Sequence, residues 1–273
     1  MSGLSLKRDK EREFMEHRVE GGIGFITSDW PLDSDKPVLI FIHGAGTSRL
    51  IWESQVEVLS PRANTIAIDL PGHGTSTGKG SDTIADYAAA VMGFIHQARI
   101  TCPVLCGLSM GGAIVQHLLI HYADRFPAGV LINTGARLKV LPMIFETIQK
   151  SYHDYMELTS TFAISKKNDS ETLRKKVLAC LQSTPEVVLG DFRACDAFDV
   201  MGLLDSIELP VLVLTASDDM LTPPKYGTYL AENIKGAQRV NIEDAGHLSP
   251  IEKPREVNQA LREFLESLTF ENG

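Results

Sequence analysis

The stretch Pro103-Val104-Leu105-Cys106-Gly107-Leu108-Ser109-Met110-Gly111-Gly112 decides how the rest of the chain is read. An apolar run ends in glycine, shows a single hydroxyl, and then admits two more glycines. Ala113, Ile114, Leu118 and Leu119 continue with helical spacing, so the segment reads as strand, sharp turn and helix. A serine in such a turn is held in a strained backbone conformation. Side chains at 107 or 111 would collide with the adjoining strand and helix, and glycine removes those collisions. The hydroxyl is then held outside the carboxyl edge of a sheet, beside a helix N-terminus that favours developing negative charge.

On either side of this turn, short apolar runs recur at Val38–Ile42, Thr65–Ile68, Val104–Cys106, Gly129–Ile132 and Val211–Leu214. They lack polar alternation and suit strands buried on both faces of a parallel sheet. Helical patterns separate them. Ser48 is the expected cap of a helix carrying Trp52, Val56 and Leu59, and Asp82 that of one carrying Ile84, Tyr87, Val91 and Ile95. After Pro254 a stripe of Val257, Leu261, Phe264 and Leu268 predicts a last helix. Phe14–Glu20 and Gly24–Ser28 alternate better and predict an antiparallel hairpin at the sheet edge. This alternation means an α/β fold. From 138 to 204 no buried strand is evident; helices are expected instead, including Met143–Leu158 and Ser170–Leu181. The reading divides the chain into a core over 14–137 and 205–270 with a helical lid between.

A serine hydroxyl needs a base. His247, after the strand-like Arg239–Ile242, is the one histidine beyond residue 153. The acid that orients it should follow an earlier strand, and Ala216-Ser217-Asp218-Asp219-Met220-Leu221-Thr222-Pro223 offers two carboxylates. Asp219 is preferred, because its spacing to Thr222-Pro223 places it at the turn itself; Asp218 is the alternative. Asn133, at the end of the preceding strand, excludes that position as the acid. Acyl transfer also needs oxyanion donors: the N–H of Met110, directly after the serine, and that of Ala45 in His43-Gly44-Ala45-Gly46. His43 is expected to tie this loop down by hydrogen bonds. Leu108, Leu221 and Leu248, beside the three reacting residues, are expected to touch substrate.

With His43–Gly46, Asp69-Leu70-Pro71-Gly72-His73-Gly74-Thr75-Ser76, the serine turn, the Asp219 turn and Gly246-His247 in this order, the chain resembles α/β-hydrolase fold serine hydrolases. Residues 107–116 and 246–252 look most like carboxylesterases and the enol-lactone hydrolases of aromatic catabolism. The resemblance implies an eight-stranded, mostly parallel sheet flanked by helices, with a helical cap after the sixth strand. It implies a catalytic triad of Ser109, Asp219 and His247, no cofactor and no metal. It also implies a small to medium ester or lactone, with water, as the reacting partners. Thioester, carbon–carbon bond or perhydrolase chemistry stays open on the same triad, as does a receptor of this fold with little turnover. Ser109 in place of Asp argues against epoxide hydrolases and haloalkane dehalogenases. Leu248, where carbon–carbon bond hydrolases often carry an aromatic residue, weakens that reading. His73 is expected to shape its loop.

Composition narrows the partners. A net charge of −9 argues against nucleic-acid binding, which needs clustered Lys and Arg. No apolar run approaches the roughly 20 residues that cross a bilayer, so no membrane partner is expected. The charged stretch Lys7–Glu13 is followed by no apolar segment, and a cytoplasmic enzyme is the expectation. The four cysteines, 102, 106, 180 and 195, form no framework. His117 and His121 share a helix face without a third ligand, and read as helix-surface residues.

Overall fold

The computed structural model describes residues 15–269. Phe14, Phe270 and the charged segment before residue 14 lie outside the described residues. The eight strands are β1 (Glu16–Glu20), β2 (Ile23–Thr27), β3 (Val38–Ile42), β4 (Asn64–Ile68), β5 (Val104–Leu108), β6 (Gly129–Ile132), β7 (Val211–Ala216) and β8 (Gln238–Ile242). They form one sheet in the order β1-β2-β4-β3-β5-β6-β7-β8. Pairings from β4 to β8 are parallel, whereas β1–β2 and β2–β4 are antiparallel. The uninterrupted Val, Ile and Leu runs are buried on both faces, as their lack of alternation requires.

Two apolar layers cover the sheet. On one face α2 (Ile84–Gln97) and α3 (Met110–His121) pack Phe94, Ile114 and Leu118 against Ile40, Leu105 and Leu131. On the other, α1 (Glu53–Leu59) and the C-terminal helix pack Trp52, Val56, Leu261 and Phe264 against Phe41, Cys106 and Leu212. Trp52 stacks on Phe41 with ring centroids 5.0 Å apart.

Between β6 and β7 the chain inserts α4 (Pro142–Lys150), α5 (Tyr152–Phe162), α6 (Glu171–Cys180) and α7 (Pro185–Ala197). The arms of the insertion are stitched together at a bridge between Arg137 and Asp199, with Val200 N–H on the Ala136 carbonyl at 2.8 Å. A 3₁₀ turn, Met201–Ser206, leads into β7. Five further elements complete the chain order: the 3₁₀ turns Arg49–Trp52 and Ala123–Arg125, α8 (Pro224–Asn233), α9 (Ser249–Glu252) and α10 (Pro254–Ser267). Among the described residues no helix is long and apolar enough to cross a membrane.

Four local expectations are corrected. Ser48 precedes a 3₁₀ turn rather than an α-helix, and its hydroxyl makes no capping bond. Asp69 Oδ1, from the β4 end, takes the Arg49 N–H instead, at 2.8 Å. Thr83, not Asp82, caps α2, its Oγ1 accepting Asp86 N–H at 3.2 Å. The helix expected over Met143–Leu158 is two helices, because Ser151 is extended and caps the second through Asp154 N–H. Finally, neither strand of the hairpin alternates: β2 is buried throughout, since it lies between β1 and β4, and β1, at the sheet edge, is exposed throughout.

Candidate active site

Ser109 stands between the end of β5 and the first residue of α3, with φ 55° and ψ −115°. That is a strained conformation for a residue with a side chain. Two close approaches enforce it. A Cβ at Gly107 would lie 2.1 Å from the Gly111 carbonyl oxygen, and one at Gly111 would lie 2.3 Å from that of Ile42. The sequence tolerates only glycine at both positions. Ser109 N–H bonds to the Ile132 carbonyl at 3.0 Å and its own carbonyl accepts Thr134 Oγ1–H at 2.8 Å, which anchors the turn on both sides.

The loop after β3 lies directly against the serine. A Cβ on Gly44 would be 3.2 Å from Ser109 Cβ. His43 secures this loop as its sequence position suggests: Nε2 accepts Leu70 N–H at 3.0 Å, which leaves the proton on Nδ1 to donate to the Gly44 carbonyl at 2.8 Å. Burial, then the charge of His73, pushes its pKa down to about 3, so His43 is neutral. Among the described residues, Ala45 N–H and Met110 N–H have no hydrogen-bond acceptor. Met110 opens α3, where the first N–H groups of a helix are unpaired by geometry.

The two carboxylates at the β7 end separate cleanly. Asp219 is 4% exposed. Its Oδ1 accepts Leu221 N–H at 2.8 Å and Thr222 N–H at 2.9 Å; its Oδ2 accepts Thr222 Oγ1–H at 2.8 Å and His247 Nδ1–H at 2.9 Å. Asp218 turns toward the insertion instead, bound by Ser165 Oγ at 2.6 Å and by Lys167 at 3.3 Å. The structure therefore brings His247 together with Asp219 and not with Asp218. Among the described residues no hydrogen bond joins Ser109 Oγ to His247, whose Nε2 is without a partner. All three residues belong to the carboxyl edge of the sheet.

Of the three leucines expected at the substrate, Leu108 is fully buried and Leu248 is 3% exposed, both inside the core layer that holds Trp52. Leu221, 48% exposed, offers open surface. His117 and His121 have rings 4.4 Å apart, and among the described residues no third ligand joins them.

Several residues that hold the site together were not read from the sequence. Asn133 Nδ2 donates to the His247 carbonyl at 2.8 Å and to Ser249 Oγ at 2.9 Å, while its own carbonyl, 2.7 Å from Thr222 Oγ1, shares that hydroxyl's one proton with Asp219 Oδ2. Glu252 Oε1 accepts Gly246 N–H at 2.9 Å and its Oε2 accepts Ser165 N–H at 2.8 Å. From the insertion, Tyr155 and Val188 stand over Gly46: a Cβ there would meet the Tyr155 hydroxyl at 2.8 Å. The Thr222 spacing was a legible signal; Asn133 and Glu252 had none.

A strained serine between a parallel strand and a helix, a free pair of backbone donors and a histidine–aspartate couple define a hydrolase of the serine-elbow type. A family model described as the alpha/beta hydrolase family matches residues 39–260, and the chain belongs to that family. 3-Oxoadipate enol-lactonase 2 of Acinetobacter baylyi is 26% identical over 244 residues, which is 84% of this chain and 88% of the relative. A pimeloyl-(acyl-carrier protein) methyl ester esterase of Neisseria meningitidis serogroup B is 28% identical over 249 residues, 86% of this chain and 94% of the relative. Among solved structures, the enol-lactonase of Burkholderia xenovorans LB400 matches the fold with TM-score 0.84 at 24% identity, covering 92% of this chain and 100% of its own. A thermophilic esterase of Thermogutta terrifontis matches with TM-score 0.77 at 27% identity, covering 92% and 98%. The relatives carry names of enzymes that open ester bonds, and the chain is a hydrolase of that class.

Proposed function

We propose that this hydrolase cleaves a small to medium carboxylic ester or lactone through an acyl-enzyme on Ser109. Ser109 Oγ attacks the carbonyl carbon while His247 Nε2 takes the hydroxyl proton, and Asp219 steadies the imidazolium through Nδ1. The carbonyl oxygen becomes an oxyanion between the N–H groups of Ala45 and Met110. Collapse expels the alkoxide, which takes the proton from His247; in a lactone it stays tethered to the acyl group. Water, deprotonated by the same imidazole, then releases the acid and restores Ser109. Approach of the Ser109 hydroxyl to His247 Nε2 completes the relay, a contact that tightens in many enzymes only with substrate bound.

The observation that carries this reading is the Ser109 backbone, held at φ 55° at the start of a helix beside two free N–H groups. Tyr155 and Val188 over Gly46 make the inserted segment a cap that encloses the acyl portion and limits its size. The four free thiols suit a reducing compartment, the cytoplasm. A hydrolysis panel of graded acyl esters and enol-lactones, run beside Ser109→Ala, tests the proposal. Turnover that vanishes in the variant, with one-to-one labelling of the wild type by a fluorophosphonate, is expected. Undiminished turnover in Ser109→Ala, or labelling of another residue, would refute it.

A further inference from the structure

Outside the Ser109 centre the molecule holds a second buried histidine–aspartate pair. Asp191, on α7 of the insertion, is fully buried. Its Oδ2 accepts Gly46 N–H and His73 Nε2–H, each at 2.8 Å, and its Oδ1 accepts the Tyr87 hydroxyl at 2.5 Å. His73 Nδ1 faces the Pro71 carbonyl at 3.1 Å. A carbonyl and a carboxylate oxygen are acceptors, so this geometry calls for a proton on each ring nitrogen, the imidazolium form of His73. Burial alone would lower its pKa; the Asp191 charge and hydrogen bond, the Pro71 carbonyl and Asp69 outweigh it and raise the value above 6.5. The other groups that face the pair are neutral His43, with its ring 4.8 Å from that of His73, Tyr87 on α2, Tyr152 and Tyr155 on α5, Arg49 bound to Asp69, and Cys195 one turn along α7.

Gly46 directly follows Ala45. His43 holds the start of this loop through Leu70 N–H, and beyond it Thr47 N–H and Oγ1 both reach back to the Gly44 carbonyl, at 3.2 and 2.9 Å. Among the described residues, the Gly46–Asp191 bond is the one that ties Ala45–Gly46 to the rest of the protein.

We propose that Asp191 is a positioning residue for ester cleavage: held by His73 and Tyr87, it grips Gly46 N–H, keeps Ala45 N–H aimed at the oxyanion, and makes docking of the insertion a condition of turnover. The inference rests on reading Ser109 as the nucleophile and Ala45 as an oxyanion donor. Asp191 touches no reacting atom, so its removal acts on the rate of the chemical step rather than on substrate capture.

Steady-state hydrolysis of a p-nitrophenyl ester by the full chain tests it. Asp191→Asn is expected to lower kcat by about 10- to 100-fold, less than the 10²–10³ lost with an oxyanion donor itself, while KM stays within about threefold. The pH profile supplies a readout that a packing role would not move. Wild-type kcat declines at alkaline pH as His73 loses its second proton, and His73→Gln, which keeps a donor but cannot titrate, lacks that decline. If Asp191→Asn fails to fold by circular dichroism, Tyr87→Phe carries the test, with an expected kcat loss of about threefold or more. Wild-type kcat in whichever of these variants folds, or an alkaline limb unchanged in His73→Gln, overturns the inference while an inactive Ser109→Ala leaves the nucleophile standing. Activity surviving in Ser109→Ala overturns both.

Discussion

Two buried histidine–aspartate pairs lie in this molecule, and they are built to opposite ends. His247 meets Asp219 at 2.9 Å through Nδ1, and His73 meets Asp191 at 2.8 Å through Nε2. The difference is the other ring nitrogen. In His73 it is closed by the Pro71 carbonyl; in His247 it is without a partner among the described residues. An imidazole can act as a base only if it keeps a lone pair to receive a proton. His73, with both ring nitrogens donating, offers no lone pair while it holds both protons, whereas Nε2 of His247 is left open. Burial beside a carboxylate is thus common to both, and the open ring nitrogen is what suits His247 to the base role proposed for it.

Cutting the acid from the His247 pair gives the largest expected effect, and its neighbour in the chain is the control. Asp219→Asn is expected to reduce kcat on the order of 10⁴-fold, the loss seen when a triad aspartate is neutralised. Asp218→Asn, whose carboxylate points to Ser165 and Lys167, should stay within about threefold in the same ester assay. If the two results are exchanged, the pairing drawn above is wrong.

Removing the histidine from each pair separates stability from rate. His73→Ala leaves Asp191 charged and buried without its cation, which should destabilise the fold by about 3–5 kcal/mol. His247→Ala leaves Asp219 with two backbone N–H donors and a share of the Thr222 hydroxyl, and its effect should stay at about 1–2 kcal/mol. Urea denaturation of both variants measures the difference, and equal losses would erase the distinction.

Asn133 connects the strand ends to the loop that carries His247. Asn133→Ala removes donors to the His247 carbonyl and Ser249 Oγ, with an expected loss of about 1–3 kcal/mol in stability. Turnover should fall about tenfold as the base loses its anchor. A variant that loses stability but keeps full turnover would show that His247 is oriented by Asp219 alone.

The smallest effect is a pH trend. His73 has a folded pKa above its unfolded value near 6.5, so its contribution is complete below that pH and is lost as pH rises through the folded value. The stability gap between wild type and His73→Gln should therefore narrow toward alkaline pH. His43 works in the other direction. Its folded value of about 3 means the unfolded chain takes up a proton first, so wild-type stability falls as pH drops below about 6.5. Denaturant midpoints at several pH values would show both limbs; a gap that widens with pH would contradict the imidazolium assignment.

The sheet was legible because its inner strands are short runs of Val, Ile and Leu with no polar interruption, and burial on both faces is the one environment that suits them. The serine turn was legible because backbone contacts at 107 and 111 leave no choice but glycine. What escaped the sequence depends on partners far along the chain. Asp191 sits in the apolar stripe of Val187, Val188, Ala194 and Cys195, a local anomaly whose meaning lies 118 residues away at His73. Asn133 reaches 114 residues to His247. Ser48 misled because Asp69, from another strand, supplied the acceptor that a local cap would have provided.

Insertions between strands are the parts of a fold that best tolerate exchange. In this hydrolase the exchangeable segment also carries the acid that braces the glycine loop. A chimera given foreign helices between residues 138 and 198, with no carboxylate where Asp191 stands, would receive a new binding chamber and a slackened anion cradle in one step. Selectivity and speed would then be inherited as a single trait, and grafts intended to retune one would have to carry Asp191 across to preserve the other.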